Sequence, residues 1–212
     1  MPDRRQFLFS LASASAVLAT PALAHKSYEI PPEHMPRLVK LPVEMPPAEI
    51  HVEPDEFALY WTLPKKKRAI RYTVGIGRGS LYHSGVYTVG EKREWPDWKP
   101  TKVMIARNPD YEKYADGVPG GPTNPLGARA LYLFNARGID TALRIHGTPQ
   151  PWTVGRAVSN GCARLIQSHV IHLYNQVPLA TRVVLHKKGR MKGMEEGEMP
   201  DLLATPGYSV HS

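Results

Sequence analysis

The sequence predicts a mainly β fold, and three observations carry the prediction. From Ile50 onward, short runs of β-branched and aromatic residues alternate with turn signals, as in paired strands. Only one stretch, 167–177, carries a clear helical stripe. The 212 residues are 42% hydrophobic and 22% charged, which suits one globular domain with a sizeable core.

The first strands are IHV at 50–52, FALYWTL at 57–63 and AIRYTVGIG at 69–77. Glu53-Pro54-Asp55 and the basic Pro64-Lys65-Lys66-Lys67 punctuate them, which reads as a β-meander with a solvated lysine turn. SGVYTVGE at 84–91 adds another strand. Residues 92–127 show few regular patterns but hold Pro, Gly and aromatics, the composition of either a disordered segment or a functional lid. Strands resume at ARALYLFN (128–135) and TALRIHG (141–147). In QSHVIHLYNQV (167–177) the apolar residues at 170, 171, 173, 174 and 177 line one helical face, and Pro178 stops it. TRVVLHK (181–187) closes the domain with a strand.

The flanks read differently. Residues 1–24 place Arg4-Arg5 before a mildly apolar run at 7–19 and the small-x-small site Ala22-Leu23-Ala24, so cleavage before His25 is expected. The run resembles a twin-arginine export signal, with Asp3 where Ser or Thr is usual. Export implies a periplasmic protein. Residues 25–47 read as an extended Pro-rich arm, 48–187 as the domain, and 188–212 as a flexible charged tail.

Composition narrows the function. No stretch reaches the roughly 18 apolar residues of a permanent membrane span. Lys and Arg number 27 against 19 Asp and Glu, a formal charge of +8. No aromatic-basic motif or recognition helix accompanies that charge, so nucleic acid is not the expected partner. A carboxylate-rich polymer suits it better. Cys162 is the only cysteine, which excludes an intramolecular disulfide and a multi-cysteine metal site. Neither a metal nor an organic cofactor is expected.

A solitary thiol in an oxidising compartment is a liability unless buried or used. Here Ile145-His146-Gly147-Thr148 ends a strand, and Ser159-Asn160-Gly161-Cys162-Ala163-Arg164-Leu165 follows on a returning loop. An imidazole brought beside the thiol could take its proton and hold it as an ion pair. Gly161 permits a sharp turn, and a turn leading into a helical segment could aim backbone N–H groups at an oxyanion. Arg164 is a fixed charge able to grip a carboxylate. Each piece also has a plain structural reading: a packed histidine, a solvated arginine, a buried inert thiol.

Residues 146–165 resemble the signature of L,D-transpeptidases with the YkuD catalytic domain, in which a His-Gly-Thr-like element precedes Ser/Thr-His-Gly-Cys. The likeness extends through 69–78, 94–109 and 124–133 to the closing helix and strand. It implies a YkuD-like β-sandwich of mixed strands with one or two short helices and a long lid loop. It implies Cys162 as nucleophile and His146 as proton donor and acceptor. Gly161 would serve the oxyanion side through its backbone, and Asn160 would orient or serve the same side. Asn160 departs from the family pattern, which has His there. Arg164, Ser159, Gly147, Thr148 and Trp152 are the implied substrate contacts. The implied partner is the peptidoglycan stem peptide, with a thioester formed at its third residue, meso-diaminopimelate, and D-Ala released. An amine acceptor then gives a 3→3 cross-link. Hydrolysis by water, transfer to an outer-membrane protein amine, and a non-catalytic wall-binding role stay open alternatives.

Overall fold

The computed structural model of the chain describes residues 28–41, 44–64, 67–187 and 195–196. The segment read as an export signal at 1–24, the expected Lys65-Lys66 turn and most of the expected charged tail at 188–212 lie outside the described residues.

Twelve strands and two α-helices are described. The strands are β1 (Arg37–Lys40), β2 (Ile50–Glu53), β3 (Ala58–Thr62), β4 (Arg68–Thr73), β5 (Ile76–Gly77) and β6 (Gly85–Glu94), then β7 (Arg129–Phe134), β8 (Asp140–Gly147), β9 (Ala157–Ser159), β10 (Ala163–Leu165), β11 (Arg182–Leu185) and β12 (Glu195–Glu196). The helices are α1 (Lys102–Arg107) and α2 (Gln167–Gln176). Ten strands form one ladder in the order β10-β8-β7-β6-β11-β2-β3-β4-β1-β12, and β5 pairs with β9 apart from it. The pairs β10·β8, β11·β2 and β5·β9 are parallel and the others antiparallel, so the sheet is mixed and the fold mainly β.

The core follows from alternation. Along β2 to β4, Ile50, Val52, Leu59, Trp61, Ile70 and Tyr72 turn to one face. There they meet Leu131, Leu133, Ile145 and Leu165 from the other half of the sheet, with Val170 and Leu173 of α2. The opposite face of β3 and β4 is covered too: Ala58, Tyr60 and Ala69 pack with Val39 and Leu41. A fully buried leucine such as Leu131 is worth about 2–5 kcal/mol against alanine. Helix α2 ends where the residue before Pro178 is driven to extended backbone, at Val177. Its last carbonyls are met from β6: Lys92 donates to the Tyr174 and Val177 oxygens, 2.7 Å each, and its ammonium lies over the Tyr174 ring.

Three expectations change. Within the segment read as an extended arm, Pro32–His34 forms a 3-10 turn and Arg37–Lys40 docks as β1 on β4, because Val39 and Leu41 bury against the sheet. Within the tail, Glu195–Glu196 pairs with β1. The segment after Cys162 enters strand β10, not a helix, since Ala163 and Leu165 alternate into the core and α2 begins only at Gln167.

Candidate active site

Strand register assembles the site. In the parallel β8·β10 pair, Ala163 stands opposite Ile145, Arg164 opposite His146 and Leu165 opposite Gly147. Directly opposed residues share a face and neighbours along a strand alternate. Ala163, Leu165 and Ile145 go to the core. Arg164 and His146 therefore project together to the other side, with Cys162 and Arg144 one repeat earlier. All four line a single cleft of about 1240 Å³. Gly75 locks this register by exchanging two main-chain hydrogen bonds with Arg164, at 2.8 and 2.9 Å. A side chain at Gly75 would meet Arg164 Cγ and the Thr153 carbonyl at 2.8 Å, so only glycine permits the approach.

Cys162 is half-buried, and its thiol donates to the Ala142 carbonyl at 3.9 Å. Burial pushes its pKa up, while the Arg144 main-chain N–H and the charges of Arg144 and Arg164 pull it back. His146 is buried, with Nδ1 2.5 Å from the Gly147 carbonyl oxygen. A carbonyl can only accept, so Nδ1 carries the proton and Nε2 the lone pair. Burial first, then the Arg164 charge, holds the His146 pKa down to about 3 against the pull of the Gly147 and Leu126 carbonyls. Burial therefore disfavours the charged form of both groups.

Arg164 is a half-buried cation on the cleft wall. Its contact is Thr153 Oγ1 at 3.4 Å, and its Nε is buried without a partner. No carboxylate pairs with it among the described residues. Thr148 also lines the cleft, its hydroxyl accepting from the Gln150 N–H at 3.1 Å.

The remaining assigned residues take other places. Gly161 sits at φ +132°, where a Cβ would press on the Leu81 carbonyl at 3.1 Å, and its N–H donates to Ser159 Oγ. That N–H is spent inside the loop, so its expected oxyanion role is corrected. Ser159 also donates to the Cys162 carbonyl at 2.6 Å, which shapes the turn, and it lines the cleft although only 1% exposed. Gly147 is packed against Gln167 and Val170 of α2, not the cleft, and contributes its carbonyl to His146. Trp152 stands 53% exposed in the 3-10 turn Pro151–Thr153 and is not part of the cleft wall, because its turn juts outward between β8 and β9.

Asn160 faces the lid. Its Nδ2 donates to the Tyr111 hydroxyl at 3.2 Å, and its Oδ1 accepts from Arg107 at 3.5 Å. The lid itself is ordered by α1, by a 3-10 segment at Pro109–Tyr114, and by Trp98 packed edge-on against Tyr111 and Tyr114. Buried Asn124 ties its base together, donating to the Val118 and Pro119 carbonyls at 2.9 and 3.0 Å. Sequence reasoning missed Arg107, Tyr111, Arg144 and Asp140. Tyr111 and Arg107 lie 49 and 53 positions from Asn160, so no local pattern links them. Among the described residues, no group of three His, Cys, Asp or Glu side chains is arranged to hold a metal ion.

Comparisons with known proteins show the family of the domain that carries this cleft. Residues 47–185 match the YkuD family, described as the L,D-transpeptidase catalytic domain. YqjB of Bacillus subtilis, an L,D-transpeptidase by name, is 39% identical over 111 residues, covering 50% of this chain and 61% of its own. The probable L,D-transpeptidase ErfK/SrfK of Escherichia coli is 34% identical over 134 residues, covering 60% of this chain and 40% of its own. The chain thus spans less than two thirds of either relative. A crystal structure of a probable carnitine operon oxidoreductase from Brucella melitensis is 44% identical, with a TM-score of 0.50, covering 74% of this chain and 96% of that one.

Proposed function

The chain belongs to the L,D-transpeptidase catalytic domain family, and from that premise we propose that it is a cysteine-dependent acyltransferase of peptidoglycan stem peptides. The observation that carries the reading is the β8·β10 register, which puts Cys162, His146 and an uncompensated Arg164 on one cleft wall. A nucleophile, a base with a free lone pair and a carboxylate anchor are the parts an acyl transfer needs.

In the proposed cycle Arg164 receives a carboxylate of the stem through charge-assisted hydrogen bonds. His146 Nε2 takes the thiol proton as sulfur attacks the carbonyl of the third residue, so a full thiolate need not exist beforehand. This suits a resting pair whose thiol pKa is raised and whose imidazole pKa is lowered. The Cys162 N–H is the candidate oxyanion donor, since that of Gly161 is committed to Ser159. The tetrahedral adduct collapses as the C–N bond breaks; His146 returns the proton to the departing amine of D-Ala, and a thioester remains. An acceptor amine attacks it, gives its proton to His146, and leaves the 3→3 cross-linked product with the thiol restored. The cleaved amide is the acyl donor, so no nucleotide is consumed. The lid over the cleft would keep water from the thioester. The enzyme would act in the periplasm, exported by the signal read at 1–24, and a mature protein beginning at His25 tests this.

The redox activity in the name of the Brucella melitensis protein is not carried over. After β4, Gly75-Ile76-Gly77-Arg78-Gly79-Ser80 runs into a 3-10 turn at Gly79–Leu81 and then β6. A dinucleotide fingerprint needs a helix N-terminus there for the pyrophosphate.

The test is incubation of the mature protein with disaccharide tetrapeptide, products read by mass spectrometry. A cross-linked dimer with loss of D-Ala supports the reading. Disaccharide tripeptide alone makes the chain a carboxypeptidase. Unchanged substrate, or equal turnover by Cys162→Ala, overturns the mechanism.

A further inference from the structure

Strand β8 carries an irregularity beside the thiol. Its pairing with β7 runs evenly from Ala130↔His146 to Tyr132↔Arg144 and then slips, so that Phe134 meets Asp140. Two residues on β7 are thus matched by four on β8, and the surplus forms a bulge at 141–143. Ala142 stands at its apex with φ +60°, a conformation in which a non-glycine residue is strained.

Side chains hold that strain in place. Asp140 Oδ1 accepts the Ala142 N–H at 2.9 Å. Arg144 grips the same carboxylate with both guanidinium nitrogens, at 2.6 and 2.7 Å, and also donates to the Leu143 carbonyl at 2.9 Å. The guanidinium lies 3.8 Å over the Tyr132 ring, and Thr141 Oγ1 ties the bulge to the Leu133 carbonyl at 2.6 Å. The result of this clip is one contact at the reacting atom: the Ala142 carbonyl accepts the Cys162 thiol.

We propose that Asp140 is a positioning residue for the nucleophile: its carboxylate, clamped by Arg144, holds the Ala142 bulge so that the Ala142 carbonyl fixes the Cys162 thiol in one orientation. The carbonyl keeps the proton on sulfur until a bound substrate displaces that contact and the thiol turns to His146. Arg144 from β8 and Arg164 from β10 are the charges that act on the sulfur; His146, His83, Asp97, Arg107 and Tyr111 line the same cleft. Asp140 compensates Arg144 through its paired hydrogen bonds. Losing it frees the guanidinium and the thiol together, and both changes favour the thiolate.

The catalytic half of this inference rests on the acyl-transfer reading; the thiol half does not. Because the chain has a single cysteine, alkylation by iodoacetamide and a ¹³Cβ-cysteine resonance each report on Cys162 alone. In Asp140→Ala, the alkylation midpoint should fall by about 0.5–1 pH unit and alkylation at neutral pH should quicken about 3- to 10-fold. The cysteine resonance should move. Acyl transfer should slow about 10- to 100-fold in kcat, with KM within about 3-fold. Asp140→Asn, which keeps an acceptor for the Ala142 N–H, should retain transfer within about 3-fold of the parent. If alkylation and transfer both fall together, or neither moves, the clip is only a structural tie and the proposal is wrong. Should the parent transfer nothing, opposite-sign behaviour is lost but a faster, shifted alkylation still supports the clip, and an unshifted one overturns it.

Discussion

On the strand side of the cleft, His146, Arg144 and Arg164 are carried by main-chain ladders whose alternate residues reach the shared core. On the lid side, α1 and the 3-10 segment Pro109–Tyr114 bury no residue fully and depend on a small aromatic cluster around Trp98. The two regions meet at Asn160, through its bonds to Arg107 and Tyr111. Bond-making groups need positions fixed to a fraction of an ångström, which a ladder locked by core packing provides. On the proposed reading a cover would open for a polymer and close again, and elements with few buried contacts separate at low cost. The molecule would then divide these tasks along one cleft.

The division is open to attack from both sides. On the strand side, Cys162→Ala and His146→Ala should each cut product formation at least about 1,000-fold, and the double variant should be no worse, because the pair acts as a unit. Steady-state assays on tetrapeptide check this. Arg164→Gln should cost about 10- to 100-fold in kcat/KM, the range of a lost charge-assisted contact, and Arg164→Lys should recover only part of it. Asn160→Ala touches the lid alone. It should change kcat/KM only about 3- to 10-fold and raise the share of thioester lost to water, read as the ratio of tripeptide to dimer. A loss as deep as that of His146→Ala would end the distinction between the two sides.

The smallest effect is on stability. His51, His146 and His169 are each held neutral by burial, their pKa values pushed down to about 3. A group with a lowered native pKa contributes its full stability above its unfolded value, about 6.5, and loses it as pH falls toward 3. Unfolding free energy should therefore fall through that window, by up to about 1.4 kcal/mol per pH unit for each histidine, and the thermal midpoint should fall with it. His169→Leu should flatten the curve, since both ring nitrogens of His169 are buried without partners. A midpoint indifferent to pH between 6.5 and 4 would contradict the burial argument.

Much of the strand framework was legible from sequence, because 57–63, 69–77, 128–135 and 141–147 are β-branched and aromatic runs set off by turn signals. Strands β9 and β10 are three residues each, too short for a period, and β1 hides among prolines. Helix α1 has no buried stripe to reveal it. At the site, His146, Cys162 and Arg164 stand in a local motif and could be read together. The bulge at Ala142 could not, because the residue at φ +60° is neither Gly nor Asn. Gly147 and Trp152 lie off the cleft wall for a related reason: proximity in sequence to a nucleophile does not tell which way a residue turns.

The paired hydrogen bonds between Gly75 and Arg164 have one more consequence. They tie the register of β10 to the body of the domain through a residue far upstream. The turn at Pro151–Thr153 shares in that tie, since Thr153 Oγ1 meets Arg164 and the Thr153 carbonyl crowds Gly75. The exposed tip, Trp152, stands clear of both contacts, so a new surface could be grafted at that one side chain while the strand beneath keeps its position.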